Sequence, residues 1–504
     1  MQLKNMLATG LALSLFACEK NDKPDFFVNE DPATFTQISS TNIGGLGAAE
    51  ISTYDPTTKR LFVVNNSAGG NAIDVLDMQN PSAPLKIHTI NISTYGGFVN
   101  SVDVYDGKLA AAVEATIKQD NGKVVVFKTS DYSEIKVVSV GALPDMITFT
   151  KDGSYILTAN EGEPNDTYTN DPPGTVSIIE VNNNYAVATL DFAAFASQEA
   201  ILKAQGFRIF GPGNNFAKDI EPEYITVSAD SKTAWVTLQE NNAIARINIT
   251  SKTISNIFPL GFKDYSLSQN AIDVSDSDGA VANLGIWPVK GIYMPDAIAL
   301  TEKNGIPYLF TANEGDAREY SAFAEVKRVK SLNLDATAFP GAATLKLDAQ
   351  MGRLNVTNTL GDTDGDGDFD ALYSFGARSF SVWNGNTGTQ VFDSKNELDV
   401  KIKATGNLYD DGRSDDKSVE PEGITIGKVA NKSIAFVGLE RADALAIYDI
   451  TDPTAPVFLQ VIATGDAPEG VLFVPAEKSP TQRSMLIVSS ENDGNVKIYQ
   501  PDLL

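Results

Sequence analysis

Pro144-Asp145-Met146-Ile147, Pro222-Glu223-Tyr224-Ile225, Pro295-Asp296-Ala297-Ile298, Pro421-Glu422-Gly423-Ile424 and Pro468-Glu469-Gly470-Val471 are five openings of one pattern. In each, a proline and an acid start a short apolar strand and a turn follows. A second apolar strand then ends at Asn or Glu, ahead of a third such as Val176-Ser177-Ile178-Ile179. Looser copies begin at Ala49-Glu50-Ile51 and Ser101-Val102-Asp103-Val104, which makes seven. Successive opening acids are 53, 42, 78, 73, 126 and 47 residues apart. Three of these intervals match one four-stranded propeller blade, and the others carry insertions at about 193–220, 261–293 and 325–376. The expectation is an all-β, seven-bladed β-propeller over residues 34–504. Residues 378–383 and 390–392 would resume the fifth copy after its long insertion. An N-terminal strand at 34–39 would supply the fourth strand that the seventh copy lacks, closing the ring and removing exposed sheet edges. Helix is scarce, with 196–206 the best candidate.

Superposing the second strands brings out the chemistry. They run into Asn66, Glu114, Glu161, Glu240, Glu314, Glu440 and Glu491, so six copies of seven place glutamate at one position. In an antiparallel pair the start of the first strand lies beside the end of the second. The opening acids Glu50, Asp103, Asp145, Glu223, Asp296, Glu422 and Glu469 therefore join the six glutamates at one mouth of the central channel, with Glu221 and Glu420 beside them. Two carboxylates about 6 Å apart repel by roughly 3 kcal/mol at an effective dielectric near 20. Such a ring calls for cations, protons or many donors. Arg318 and Arg441 supply some charge and are candidate anion-binding residues. Oxygen ligands without His or Cys point to calcium, or to magnesium, and the mixture with the amides of Asn66, Asn160 and Asn313 favours the geometrically tolerant calcium. The competing reading is structural: each acid accepts backbone N–H bonds from a neighbouring blade and fixes its packing.

A second acidic signal, Asp362-Thr363-Asp364-Gly365-Asp366-Gly367-Asp368-Phe369-Asp370, alternates aspartates around glycines as a calcium loop does. Position 12 is Tyr373 rather than the bidentate glutamate of an EF-hand, so the stretch is closer to the helix-free loops of thrombospondin-like and integrin-propeller sites. The alternative is a solvated acidic turn.

Composition narrows the classes. The 504 residues are 42% hydrophobic and 21% charged, enough for a globular core, and 65 Asp+Glu against 39 Lys+Arg give a formal net charge of −26. That sign argues against nucleic acid and against direct contact with anionic membranes. One cysteine and one histidine, His88, exclude a disulfide and a His- or Cys-rich metal site and argue against a His-based triad. No haem attachment sequence and no strand-to-helix phosphate loop is present, so neither haem nor nucleotide is expected. Residues 1–17 read as a signal peptide ending in Leu15-Phe16-Ala17 before Cys18, a lipoprotein box that would lipidate Cys18. Residues 18–33 form a polar tether, and export follows, with membrane attachment through the lipid alone, at the cell surface or facing the periplasm.

Gly44-Gly45-Leu46-Gly47-Ala48-Ala49-Glu50-Ile51, Ala159-Asn160-Glu161-Gly162-Glu163-Pro164, Asp219-Ile220-Glu221-Pro222-Glu223-Tyr224-Ile225, Leu260-Gly261-Phe262-Lys263-Asp264, Thr311-Ala312-Asn313-Glu314-Gly315-Asp316-Ala317-Arg318 and the 361–368 loop closely resemble the bacterial choice-of-anchor I family. The resemblance runs from about Thr41 to Tyr499 and implies a secreted, propeller-like protein held by one of several anchors. Some relatives carry phosphatase-like labels, and the acidic mouth is similar in kind to those of propeller phytases and PhoX-type alkaline phosphatases. Two readings follow. The first is a calcium-loaded surface binding protein whose mouth holds divalent cations and an anionic or phosphorylated small ligand. The second is a calcium-dependent phosphoesterase in which Glu161, Glu223, Glu314 and Glu422 hold metal while Arg318 or Arg441 steadies phosphate.

Overall fold

The computed structural model describes residues 26–67, 70–213 and 215–504. The signal peptide, Cys18 and the first half of the tether (18–25) lie outside the described residues. Among those described, seven four-stranded antiparallel sheets dominate an all-β fold. Sheet 1 comprises Ala48–Asp55, Arg60–Asn65, Ala72–Asp77 and Leu85–Asn91. Sheet 2 comprises Val99–Tyr105, Lys108–Val113, Asn121–Lys128 and Glu134–Ala142, and sheet 3 Pro144–Phe149, Tyr155–Asn160, Thr175–Glu180 and Ala186–Leu190. Sheet 4 comprises Pro222–Val227, Thr233–Leu238, Ala243–Asn248 and Thr253–Pro259. Sheet 5 pairs Ile298–Lys303 and Ile306–Ala312 with the distant Phe380–Asn384 and Gln390–Asp393. Sheet 6 comprises Pro421–Val429, Lys432–Leu439, Ala444–Asp449 and Val457–Ala463. Sheet 7 joins Pro468–Val474, Met485–Ser490 and Asn495–Leu503 to the N-terminal strand Glu30–Asn42, which begins earlier than residue 34 and pairs antiparallel with Asn495–Leu503.

Burial explains the sequence pattern. Second strands are apolar throughout because each sheet is covered on both faces, and the period of two divides their side chains between two neighbours. In sheet 1, Leu61 and Val63 pack with Met485 and Ile487 of sheet 7, while Phe62 and Val64 pack with Leu109 and Ala111 of sheet 2. Comparable apolar clusters join sheets 2 and 3, 3 and 4, 4 and 5, 5 and 6, and 6 and 7. The first strand of every sheet lies against the first strand of the next, and that of sheet 7 lies against that of sheet 1. Outermost strands face water on one side, and Leu85–Asn91 is exposed along most of its length.

The connections between sheets hold the remaining elements. Between sheets 3 and 4, the helix expected at 196–206 is shorter and earlier: a 3-10 turn, Ala193–Gln198, followed by the α-helix Glu199–Lys203. A nine-residue helix, Glu397–Thr405, follows sheet 5 and ends on Gly406 in the left-handed region (φ 82°). The two later insertions fold together around Tyr265, Ile272, Val329, Met351 and Leu354, and Lys290–Ile292 of one pairs in parallel with Tyr373–Ser374 of the other.

Phe35, 1% exposed, carries the N-terminal strand's contribution to the core by packing edge-on against Phe436 of sheet 6, with ring centroids 5.2 Å apart. Phe35→Ala should destabilise the protein by about 3–5 kcal/mol through transfer and cavity terms. Chemical unfolding would check this, and a change below about 1 kcal/mol would show that the strand is dispensable.

Candidate metal centre

The opening acids sit where they do because of backbone irregularity. In sheets 3, 4, 6 and 7 the first strand slips register against the second, between Pro144 and Met146, Pro222 and Ile225, Pro421 and Ile424, and Pro468 and Gly470. Asp145, Glu223, Glu422 and Glu469 occupy these bulges, which re-aim a side chain that would otherwise follow the pleat. Glu50 lies in the corresponding irregularity of sheet 1, between Ala48 and Ser52. Leu143, Met294, Glu420 and Ala467, each immediately before a proline, adopt positive φ values of 47°, 43°, 47° and 55°. Left-handed non-glycine residues are costly, and their recurrence at the entry of four first strands marks a constrained rim.

Asp103 does not belong to this rim. The sheet 2 irregularity falls between Val99 and Ser101, so its bulge residue is Asn100, whose amide donates to the Pro144 carbonyl at 3.2 Å. Asp103 lies farther along the strand, where it accepts from the backbone N–H of Phe149 at 2.7 Å and of Val104 at 2.8 Å. In sheet 2 the bulge lies three residues before the acid, so the position equivalent to the other opening acids carries the amide of Asn100. Glu114 Oε1 accepts from Phe98 N of its own sheet at 3.1 Å, whereas Asp103, bonded to Phe149 of sheet 3, has the inter-sheet hydrogen-bonding role of the competing reading. Asn66 does the same, linking Glu50 Oε2 at 2.7 Å to the Val99 carbonyl at 2.8 Å. The amide oxygens of Asn160 and Asn313, the atoms that could ligate a metal, are buried within their own sheets, where they accept from Thr158 Oγ1 at 2.8 Å and Thr311 Oγ1 at 2.9 Å.

The remaining rim acids resolve into two corners. Carboxylate oxygens of Glu161, Glu223 and Glu240 lie within 4.8 Å of one another, and so do those of Asp296, Glu314 and Glu422. A further trio, Glu314, Glu420 and Glu440, overlaps the second corner. Their environments differ in one respect. Lys417 enters the second corner with Nζ 2.5 Å from Glu314, 3.3 Å from Glu420 and 3.7 Å from Asp316, while Arg413 and Arg441 flank Glu420 and Glu440. Among the described residues, no lysine or arginine pairs with Glu161, Glu223 or Glu240. Glu240 is 5% exposed, and its Oε2 has no hydrogen-bond partner. Glu50, Glu469 and Glu491 make a looser acidic group at the sheet 7 to sheet 1 junction, where, after burial, Glu491 raises the pKa of Glu50, and Glu50 with Glu491 raises that of Glu469.

Titration follows the same division. Burial, reinforced by Glu163 and Asp145, pushes Glu161 well above the carboxylate range, and burial with Glu161 does the same to Glu223. Burial lifts Glu240 to about 8. Burial and neighbouring acids raise Glu50 to about 8, Glu440 to about 7 and Asp145 to about 6, and hold Asp296, Glu422 and Glu469 high. Burial alone would raise Glu314 too, but the Lys417 ammonium and the Gln239 amide hold it below its usual value.

Arg318 has another role than the expected anion binding. It is 3% exposed; Nε donates to Glu221 at 3.0 Å, Nη1 to Asp219 Oδ1 at 2.6 Å and Nη2 to the Asp219 carbonyl at 2.8 Å. It clamps the first insertion to the segment that follows the second strand of sheet 5. Arg441 is more open, pairing with Glu440 at 2.8 Å. Sequence reasoning missed Lys417, Glu163 and Asp316. The last two had a signal, since Asn160-Glu161-Gly162-Glu163 and Asn313-Glu314-Gly315-Asp316 are one motif. Its glycine is needed, because Gly315 has φ 100° and a Cβ there would lie 2.1 Å from Gly376 N.

In the 362–370 loop only Asp362, Asp364 and Asp370 converge. Asp368 turns instead to Asp335 together with Asp370, and Asp366 joins neither group. The loop's own amides occupy much of the acceptor capacity: Asp362 accepts from Gly365 N and Gly367 N, and Asp370 from Thr363 N and Oγ1.

The choice-of-anchor I domain model matches residues 50–453. The chain belongs to the choice-of-anchor I family. Gigasin-3a of Magallana gigas is 28% identical over 189 residues, covering 31% of this chain and 66% of its own length. The mesenchyme-specific cell surface glycoprotein of Strongylocentrotus purpuratus is 23% identical over 356 residues, 60% of this chain and 45% of its own length. The chain thus spans about two thirds of one relative and under half of the other. Among solved structures, the Cps50 (Swd1) β-propeller domain of Myceliophteria thermophila is similar at TM-score 0.45 and 7% identity, covering 93% of this chain and 100% of that one. In this choice-of-anchor I chain, both corners, from Glu161 to Glu440, fall inside the family match.

Raised carboxyl pKa values give the metal-free family member an unusual pH dependence. A carboxyl whose folded pKa exceeds its unfolded one contributes stability that is complete below about 4.5 and lost as pH rises through the folded value. With Asp145 at about 6, Glu440 at about 7 and Glu50 and Glu240 at about 8, the loss spans pH 5 to 8. In excess chelator the melting temperature should therefore fall by several degrees between pH 5 and pH 8. A rise over that interval would mean the rim acids are neutralised by something other than protons.

Proposed function

We propose that the chain is a seven-bladed β-propeller closed by its N-terminal strand, exported and tethered as a lipoprotein through Cys18, whose acidic mouth binds a divalent cation, calcium foremost. The cyclic contact of first strands and the seven apolar clusters between successive sheets support the ring. The cell surface location named for the sea-urchin relative accords with export. A single observation carries the metal: three carboxylates converge at Glu161, Glu223 and Glu240 with no lysine or arginine ion-paired to them among the described residues, and Glu240 Oε2 is buried without a partner. Hard, oxygen-only, flexible glutamate ligands suit calcium better than the strict octahedron of magnesium.

At the neighbouring trio of Glu314, Glu420 and Glu440 the protein supplies its own cation in Lys417, so that trio takes no ion while the lysine is present, although the adjoining Glu422 Oε2 is also buried without a partner. The 362–370 loop is the weaker calcium candidate, because its own N–H groups already occupy Asp362 and Asp370. The phosphoesterase reading loses Arg318, whose donors are committed to Asp219 and Glu221, and so has less support than ion and ligand binding.

Calorimetric titration of chelator-stripped protein with calcium tests the assignment. Glu240→Gln should weaken the rim site about tenfold or more, whereas Asp362→Ala should leave it unchanged. Lys417→Met, which keeps most of the stem and removes the ammonium, should add a second ion at Glu314, Glu420 and Glu440. Equal calcium binding in Glu240→Gln and the parent would reject the site.

A further inference from the structure

At the end of the sheets opposite the acidic rim, apolar side chains gather in the open. The N-terminal strand starts at this foot, where Glu30 pairs with Leu503 and Leu504 N donates to the Asn29 carbonyl at 2.9 Å. Phe26, Phe27, Leu503 and Leu504 are all exposed, Phe27 to 60% and Leu504 to 75%. Val457, at the foot of the neighbouring outer strand of sheet 6, is exposed as well. A groove of about 470 Å³ continues from Phe26 and Phe27 to Lys428 and Pro475, in the foot turns of sheets 6 and 7. Exposed apolar side chains gathered in one place, rather than scattered singly, mark a contact surface.

Charge and chain length both say what covers it. The thirteen turns at the foot, each taken from the last residue of one strand to the first of the next, hold eleven Lys or Arg and eleven Asp or Glu. This end is therefore balanced in a chain of formal charge −26, and the repulsion from an anionic bilayer belongs to the rim. Eight residues lead from Cys18 to Phe26 and reach at most about 29 Å. Asn495–Leu503, which runs from rim to foot beside the N-terminal strand, is itself about 26 Å long. A lipid on Cys18 thus meets the membrane easily with the foot down, whereas a rim-down placement would stretch the tether to its limit. We infer that Phe26, Phe27, Leu503 and Leu504 seat in the interfacial layer of the bilayer that holds the lipid, turning the acidic rim and its cation site toward the aqueous side. This rests on the lipoprotein reading of Cys18 and goes beyond it, adding a protein contact to the lipid and setting which end of the molecule faces out. Exposed Lys428 and Lys478, in the foot turns beside the patch, lie where their ammoniums would meet headgroup phosphates.

The test reconstitutes the full lipidated chain in vesicles of phosphatidylethanolamine and phosphatidylglycerol. Lipidation blocks the one natural thiol, so a fluorophore goes onto a single new cysteine. Asn431→Cys places it in the foot turn of sheet 6, and Thr116→Cys in the rim turn of sheet 2. Energy transfer to a headgroup-labelled lipid should be at least about twofold stronger from the foot than from the rim. Phe27→Ser combined with Leu504→Ser should lower that ratio while fatty-acid labelling of Cys18 stays at the parent level. Equal transfer from the two positions in fatty-acid-labelled protein, or a ratio unmoved by the double variant, overturns the inference and leaves the lipoprotein reading standing. Absence of fatty-acid labelling removes that reading, and the inference with it.

Discussion

Everything at the rim depends on one electrostatic constraint: more carboxylates converge than the protein has cations to neutralise. The fold creates the crowding through its own regularity. In sheets 1, 3, 4, 6 and 7 a repeated bulge delivers an acid to the end where second strands terminate, and repetition concentrates charge where a single copy would be harmless. Neutralisation is then uneven. At Glu314, Glu420 and Glu440 an ammonium sits among the oxygens; at Glu161, Glu223 and Glu240 no lysine or arginine is ion-paired among the described residues, and Lys118 and Arg318 act only from farther away. Removing one partner of a buried charge group is expensive, so the two corners should respond oppositely to metal and to mutation.

The insertions acquire a purpose in this account. Lys417 belongs to the segment between sheets 5 and 6, and that segment is held from outside the ring. Arg378, 1% exposed, donates to the carbonyls of Ser414 and Asp416 on one side of Lys417, and Asp415 pairs with Arg328 at 2.6 Å and Arg353 at 2.9 Å. Arg328 and Arg353 come from the long insertion in sheet 5. The insertion thereby orients a loop whose lysine completes the rim, and Arg318 performs a similar clamp on the first insertion through Asp219 and Glu221.

How much of this was legible in the sequence varied with the physics behind each feature. The repeat Pro-acid-x-Ile and the glutamates after the second strands were readable because identical backbone geometry demands similar residues at each copy. The N-terminal strand was readable by subtraction from the seventh copy. Asp103 was misplaced because the register-setting element in sheet 2 is a bulge, and a bulge has no residue signature of its own; Asn100 occupies it. Lys417 was invisible for a different reason: it reaches the rim from a loop whose position is set by ion pairs to residues some sixty to ninety positions away, as in Arg328 with Asp415, and no local pattern encodes such a contact. The commitment of Arg318 is invisible locally for the same reason, since its partner Asp219 lies 99 positions away.

The central claim is that one corner of the rim needs an ion and the other has its own. Anomalous diffraction from crystals soaked in a calcium substitute such as terbium tests it most directly. The account predicts a peak bounded by Glu161, Glu223 and Glu240 and none among Glu314, Glu420 and Glu440 while Lys417 is present. An absent peak at the first corner, or a peak beside Lys417, would contradict it.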